Sequence, residues 1–181
     1  MTVAPSRALI FVLVTVFIDT VGFGIIIPVL PQLLMELLDG SLGTAALYAG
    51  WLMFIFAALQ FLSAPVLGNL SDHFGRRPVL LGSLAAFAVD FVLMGLATTV
   101  AWLFIGRALS GVFSATYPVV SAYVADITTP EERAKKFGLL GAAWGFGFVV
   151  GPAIGGLLGD ADPRLPFFVA AGLAAVNVVY G

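Results

Sequence analysis

Residues Ala8–Leu30 read ALIFVLVTVFIDTVGFGIIIPVL, 23 positions with one ionisable side chain, Asp19. A helix needs roughly 20 predominantly apolar residues to cross a hydrocarbon core about 30 Å thick, and this stretch supplies them with no polar face. Carried outward, the same reading gives Ala45–Leu67, Val79–Ala97, Val100–Val120, Phe137–Leu158 and a sixth run opening at Leu165. The whole chain agrees with its parts. Of 181 residues, 61% are hydrophobic and 10% charged, with a mean hydropathy of +1.10, whereas soluble domains carry about 25% charge. The expected fold class is all-α, a polytopic membrane protein with six transmembrane helices. The sixth run reaches Gly181 after only 17 residues, so either that helix is tilted short or the sequence is cut inside or just after it, and the cut is the favoured expectation. The first run is too long for the apolar core of a signal peptide, holds Asp19 at its centre and shows no small-residue cleavage site, so it predicts a retained helix.

Composition also excludes several functions. There is no Cys and a single His, His73, so neither a thiol nucleophile nor a His/Cys metal site is expected, and no cofactor is implied. A net charge of -2 gives no basic footprint for nucleic acid. No nucleophile–base constellation or phosphate loop points to an enzyme. The partners this composition implies are membrane lipids.

Basic residues set the expected orientation. Arg7, Arg76, Arg77, Arg133, Lys135 and Lys136 fall on one side of the spans, whereas Arg164 lies on the other beside Glu36, Asp39, Asp160 and Asp162. By the positive-inside rule the N-terminus and both basic loops are cytoplasmic, and six spans return the C-terminus to the same side.

An offset of 88 residues lays the chain on itself. Gly68-x-x-x-Asp72-x-x-x-Arg76 falls on Gly156-x-x-x-Asp160-x-x-x-Arg164, Asp19 falls on Arg107, and Pro65 and Pro152 match within one residue. Residues 1–181 therefore read as one unit of two three-helix repeats, about 7–97 and 100–181. Because three is odd, the second copy enters from the opposite face. An inverted 3+3 repeat is the plan of many secondary transporters, which bind substrate near the bilayer midplane where the repeats meet.

Asp19, Asp90 and Arg107 lie inside the spans, each costing roughly 2.5–3.5 kcal/mol at a helix centre, so each needs a partner or a wet cavity. Asp19 is near the midplane, while Asp90 and Arg107 both sit about 10 Å below the outer surface at 1.5 Å per residue. Asp90–Arg107 is one reachable pair and Asp19–Arg107 a rival. A carboxylate at such a depth either takes up and releases a proton as its cavity opens to alternate sides or forms a static packing pair. Arg107 reads as a permanent counter-charge, since guanidinium does not titrate in the relevant range.

In the fifth span the pairs Gly141/Gly145, Gly147/Gly151, Gly151/Gly155 and Gly155/Gly159 are small-x-x-x-small spacings that let helix backbones approach. Pro152 takes away one hydrogen bond and permits a kink. In the segment Gly68–Pro78, read as a short loop, Asp72 can cap a helix N-terminus, while Arg76 and Arg77 can hold phosphate headgroups or a neighbouring helix C-terminus.

Those residues resemble a known family. Gly68-Asn-Leu-Ser-Asp72-His-Phe-Gly75-Arg76-Arg77-Pro-Val-Leu resembles the helix 2–3 signature of the major facilitator superfamily. Arg107-Ala-Leu-Ser-Gly111 resembles its helix 4 motif, in which an arginine is associated with proton coupling. Gly147-Phe-Val-Val-Gly151-Pro152-Ala-Ile-Gly155-Gly156 is similar to the helix 5 signature of drug–proton antiporters. Helix 1 from Asp19 to Pro31, and Val89-Asp90-Phe91, are similar to tetracycline-efflux proteins. The chain departs from the pattern at His73, where an arginine is common, which should weaken the cytoplasmic clasp. It also supplies only the first of two six-helix halves. The resemblance implies proton-coupled efflux of an amphipathic, tetracycline-like drug across the bacterial inner membrane by alternating access. Asp19, Arg107 and Asp90 would couple protons, Gly68, Asp72, Gly75, Arg76 and Arg77 would form the cytoplasmic gate, and Phe23, Ile26, Tyr117 and Trp144 would wall the cavity. A missing second half, a second copy or a larger complex would complete it. The competing expectation is a truncated homologue serving as a non-transporting subunit of another membrane complex.

Overall fold

The computed structural model describes residues 5–114 and 116–180; the side chains of residues 5–7, Arg7 among them, and Gly181 lie outside the described residues. The described residues form helices α1 (Pro5–Ile26), α2 (Leu30–Leu38), α3 (Leu42–Phe74), α4 (Arg76–Gly95), α5 (Val100–Phe113), α6 (Thr116–Ile127), α7 (Pro130–Gly159) and α8 (Leu165–Tyr180). Five stretches are long and apolar enough to cross a membrane, α5 and α6 counting as one, and α8 is a shorter apolar helix. All-helical and polytopic is what the composition demanded.

Two expected spans are broken rather than continuous, and proline is the cause each time. The first was expected to run to Leu30, but α1 ends at Ile26. Pro28 has no N–H for the Gly24 carbonyl, which instead accepts from Ile27 N at 3.2 Å, and its ring crowds the turn before it. The fourth was expected as one helix to Val120. It stops at Phe113, resumes at Thr116 and runs on to Ile127. Pro118 stands four residues after Ser114, where it both removes the partner of the Ser114 carbonyl and clashes with it. In the first turn of α6 the missing N–H costs nothing, because that donor has no helical partner anyway.

The basic segments are helical, contrary to the loops expected there. Helix α3 continues through Asp72 to Phe74, and only Gly75, at φ +94°, separates it from α4. That positive φ strains any side-chain-bearing residue, so glycine is the residue suited to so sharp a reversal. Helix α7 opens at Pro130, not Phe137, which takes Arg133, Lys135 and Lys136 into the helix. Pro130 at its first position and Glu131 and Glu132 in its first turn all favour a helix start.

The most extensive packing is between α1 and α7, followed by α4 with α8 and α3 with α5. Gly147, Gly151, Gly155 and Gly159 lie along the α1 side of α7, and a Cβ on Gly151 would stand 2.8 Å from the Val21 carbonyl oxygen and from Gly24 Cα. Pro152 packs on Gly24 from the same side without interrupting the helix. Gly138, Gly141, Gly145 and Gly156 meet open space. The 141/145 spacing therefore does not pack a helix within the described residues, and Gly156 is set apart from the rest of its motif. On this basis, Gly155→Ala should lower the melting temperature in detergent by an amount equivalent to about 1–3 kcal/mol of overpacking, whereas Gly141→Ala should leave it unchanged. Equal shifts for the two would contradict the packing described.

Candidate functional site

The break between α5 and α6 leaves polar backbone in a span, about 21 Å from the start of α5 at 1.5 Å per residue. Such groups must be satisfied by protein, because hydrocarbon offers no partners. Helix α3 supplies them. Ser63 Oγ donates to the Gly111 carbonyl at 3.2 Å, Ser114 N reaches the same oxygen at 3.4 Å, and Gln60 Nε2 donates to Ser114 Oγ at 2.8 Å. Gly111 admits this approach, since a Cβ there would lie 2.8 Å from the Phe56 carbonyl oxygen.

Beside the break opens a cavity of about 220 Å³. Asp19 and Thr20 of α1, Gln60 of α3, and Ser114 and Thr116 supply its polar lining; Phe23, Phe56, Phe87, Phe91, Tyr117, Trp144 and Phe148 supply an aromatic one. The buried Thr116 hydroxyl lies beside the Asp19 carboxylate. Sharing Val16, Tyr117 and Trp144, a second cavity of about 440 Å³ adjoins it, lined also by Val120, Phe137, Leu140 and Gly141. Three of the four expected wall residues, Phe23, Tyr117 and Trp144, line this space. Ile26 does not. It sits at the end of α1, 2% exposed, packed into the core with Val29 and Leu30.

Arg107 pairs with Asp90, Nη2 to Oδ2 at 2.9 Å, with both side chains essentially sealed from solvent at 1% and 0% exposure. The rival Asp19–Arg107 pair is not formed, since Asp19 faces the cavity and Arg107 is turned to α4. Arg107 also donates to Met94 Sδ at 3.0 Å and lies 5.6 Å from the Phe56 ring centroid. Neither Asp90 nor Arg107 lines the cavity; Phe56, Phe87 and Phe91 do. Gly106 makes the pair possible, because a Cβ there would collide with Asp90 Oδ1.

An arginine ties the helices together at each end of the bundle. Arg76 pairs with Asp72, bonds Asp126 on α6 at 3.1 Å and donates to Ser71 Oγ at 2.7 Å. Asp72 thus pairs with Arg76 from the last turn of α3 and caps no helix, the reversal at Gly75 having turned its position into a helix end. Arg77 is exposed, and Gly68 meets open space. At the far end Arg164 donates to the Gly95 and Ala97 carbonyls at 3.1 and 2.8 Å and to Glu36 on α2 at 3.3 Å, while its backbone N–H bonds Asp162 at 2.7 Å.

This arrangement has known counterparts. Residues 12–181 match the profile of the Major Facilitator Superfamily. The chain belongs to that superfamily. It is 47% identical over 177 residues to the class C tetracycline resistance protein of Escherichia coli, covering 97% of this chain and 44% of that protein. With Multidrug resistance protein 1 of Bacillus subtilis (strain 168) it shares 40% identity over 172 residues, 94% of this chain and 43% of the relative. The crystal structure of the human organic anion transporter MFSD10 (TETRAN) superposes with a TM-score of 0.84 at 24% identity, covering 99% of this chain and 47% of that one. The chain therefore spans less than half the length of the superfamily members it matches, and its fold is that of a major facilitator half.

Sequence reasoning missed Gln60, Ser63, Ser114 and Thr116, as well as Asp126 as partner of Arg76. Two signals were present: Gln60 is the one side-chain amide between Leu42 and Leu67, and Pro118 stands within an apolar run. For the buried pair, Arg107→Met should destabilise the protein by about 3–5 kcal/mol through the stranded Asp90 charge, and the double variant Arg107→Met/Asp90→Leu should recover most of the loss. Asp126→Ala, breaking an exposed pair, should cost about 1 kcal/mol or less. Melting curves in detergent compare the three.

Proposed function

We propose that this chain is the N-terminal half of a transporter that exports a small amphipathic, tetracycline-like drug in exchange for protons by alternating access. One observation carries the reading: Asp19, an acidic side chain within an apolar span, lines an aromatic-walled cavity that adjoins a second one beside Phe137 and Leu140. A flat, amphipathic molecule finds stacking surfaces in Phe23, Trp144 and Phe148 and polar contacts in Gln60, Thr116 and Asp19. Resistance proteins at 40–47% identity support the same substrate class.

In this mechanism Asp19 takes a proton from one side and releases it to the other as the cavity's access alternates. Arg107 is the fixed positive charge that tunes it, with Asp90 assisting behind the aromatic wall. Asp72 and Arg76, with Gly68, Gly75 and Arg77, form the gate at the basic end, which faces the cytoplasm; both termini of this half lie on that side of the bacterial inner membrane. The half is two inverted repeats, about 7–97 and 100–181. A second six-helix half closes the cavity over Tyr117 and Trp144, which are 69% and 51% exposed. The glycine face of α7, with Gly147, Gly151, Pro152 and Gly155, holds α1 and its Asp19 in place.

The test uses the full-length transporter in proteoliposomes, following proton movement driven by a tetracycline gradient. Asp19→Asn should reduce coupled flux to the level of drug-free vesicles. Asp39→Asn should retain wild-type flux, because that carboxylate is exposed and its left-handed conformation is one Asn tolerates. Undiminished coupled flux in Asp19→Asn would remove Asp19 from the mechanism.

A further inference from the structure

We propose that Phe56 is a positioning residue through which occupancy of the Asp19 cavity is felt by the buried Asp90–Arg107 pair. The inference rests on the reading of that cavity as the transport site.

Phe56 is the side chain that both lines the cavity and lies against the Arg107 guanidinium, 5.6 Å from its ring centroid. A desolvated cation over an aromatic face is attracted by the ring quadrupole, more strongly than at an exposed site. Here that contact matters because, beyond Ser110 beside Asp90, few groups support the pair. Among the described residues, Arg107 Nε and Asp90 Oδ1 have no hydrogen-bond partner, and the remaining bond from the guanidinium goes to a weak acceptor, Met94 Sδ.

The backbone under the ring cannot yield. Its carbonyl and Cα are the atoms crowding Gly111, and one and two turns further along α3, Gln60 and Ser63 are bonded to the break in the fourth span. Ring movement is therefore confined to side-chain rotation within the cluster formed with Phe23, at 6.1 Å, and Phe87, at 6.4 Å. An occupant of the cavity meets the Phe56 ring directly, because that ring is part of its lining, and contact with it shifts the ring. A Phe56 ring displaced in this way turns its face from Arg107 and leaves the pair less stabilised. Coupling of this kind is reciprocal, so the state of the pair alters the affinity of the cavity.

A thermodynamic cycle in the full-length transporter tests the proposal, with tetracycline as the probe. Neutralising the pair with Asp90→Asn/Arg107→Gln should shift tetracycline affinity by about fivefold or more when Phe56 is present. In the Phe56→Leu background the same neutralisation should leave affinity nearly unchanged, and Phe56→Trp, which keeps an aromatic face, should restore the shift. An equal shift in the Phe56 and Leu backgrounds overturns the proposal. A second cycle reads melting temperature without drug: Phe56→Leu and pair neutralisation should be non-additive, and additive shifts also overturn it. Should the wild-type protein fail to bind tetracycline, the drug reading falls on its own, and the melting cycle still decides whether Phe56 acts on the pair.

Discussion

Hydrocarbon provides no hydrogen-bond partners, and every polar group in the spans is placed under that constraint. Arg107 and Asp90 meet it as a sealed ion pair, and Thr15 and Asn177 as a reciprocal pair of 3.3 Å bonds between α1 and α8. The broken fourth span meets it by borrowing side chains from α3. Asp19 and Thr116 instead face the cavity together, while Arg107 Nε and Asp90 Oδ1 stay without a hydrogen-bond partner inside the pair.

The same constraint explains why glycine rather than large apolar residues builds the α1–α7 seam. Lipid tails are as apolar as leucine, so burying leucine between helices gains little, and close backbone contact has to supply the attraction. Gly24 against Gly151 and Pro152, and Ile25 against Gly155, bring the two backbones together along the helix that carries Asp19. Helices α3 and α7 keep most of their surface outside the bundle. Their outer faces are thus available to lipid and to a second half.

The two arginine clasps lie at opposite ends and are built alike. Each arginine stands at or just before the start of a helix that follows a long one, and each reaches an acid on a short helix that follows a break: Arg76 to Asp126 on α6, Arg164 to Glu36 on α2. Exposed pairs of this kind contribute little to stability. Their value is geometric, since each fixes a short helix, and hence the direction of the chain beyond its proline break, relative to two long ones.

Residue order alone determined that this is a polytopic helical membrane protein, where its apolar runs fall, and that Asp19, Asp90 and Arg107 are the groups needing an explanation. It did so because the cost of charge in hydrocarbon is local and large, and because span length is set by bilayer thickness. The signature segments also made the superfamily legible before any packing was known. What the tertiary structure alone decided was partnership: that Arg107 turns to Asp90 rather than Asp19, that Ile26 leaves the cavity for the core, that four of the α7 glycines pack while others stay open, and that Gln60 and Ser63 secure a broken helix. A pattern of residue types fixes how much each group gains from a partner. Which partner it meets depends on helix rotation and on where proline interrupts a span, and those are settled only when all the helices pack at once.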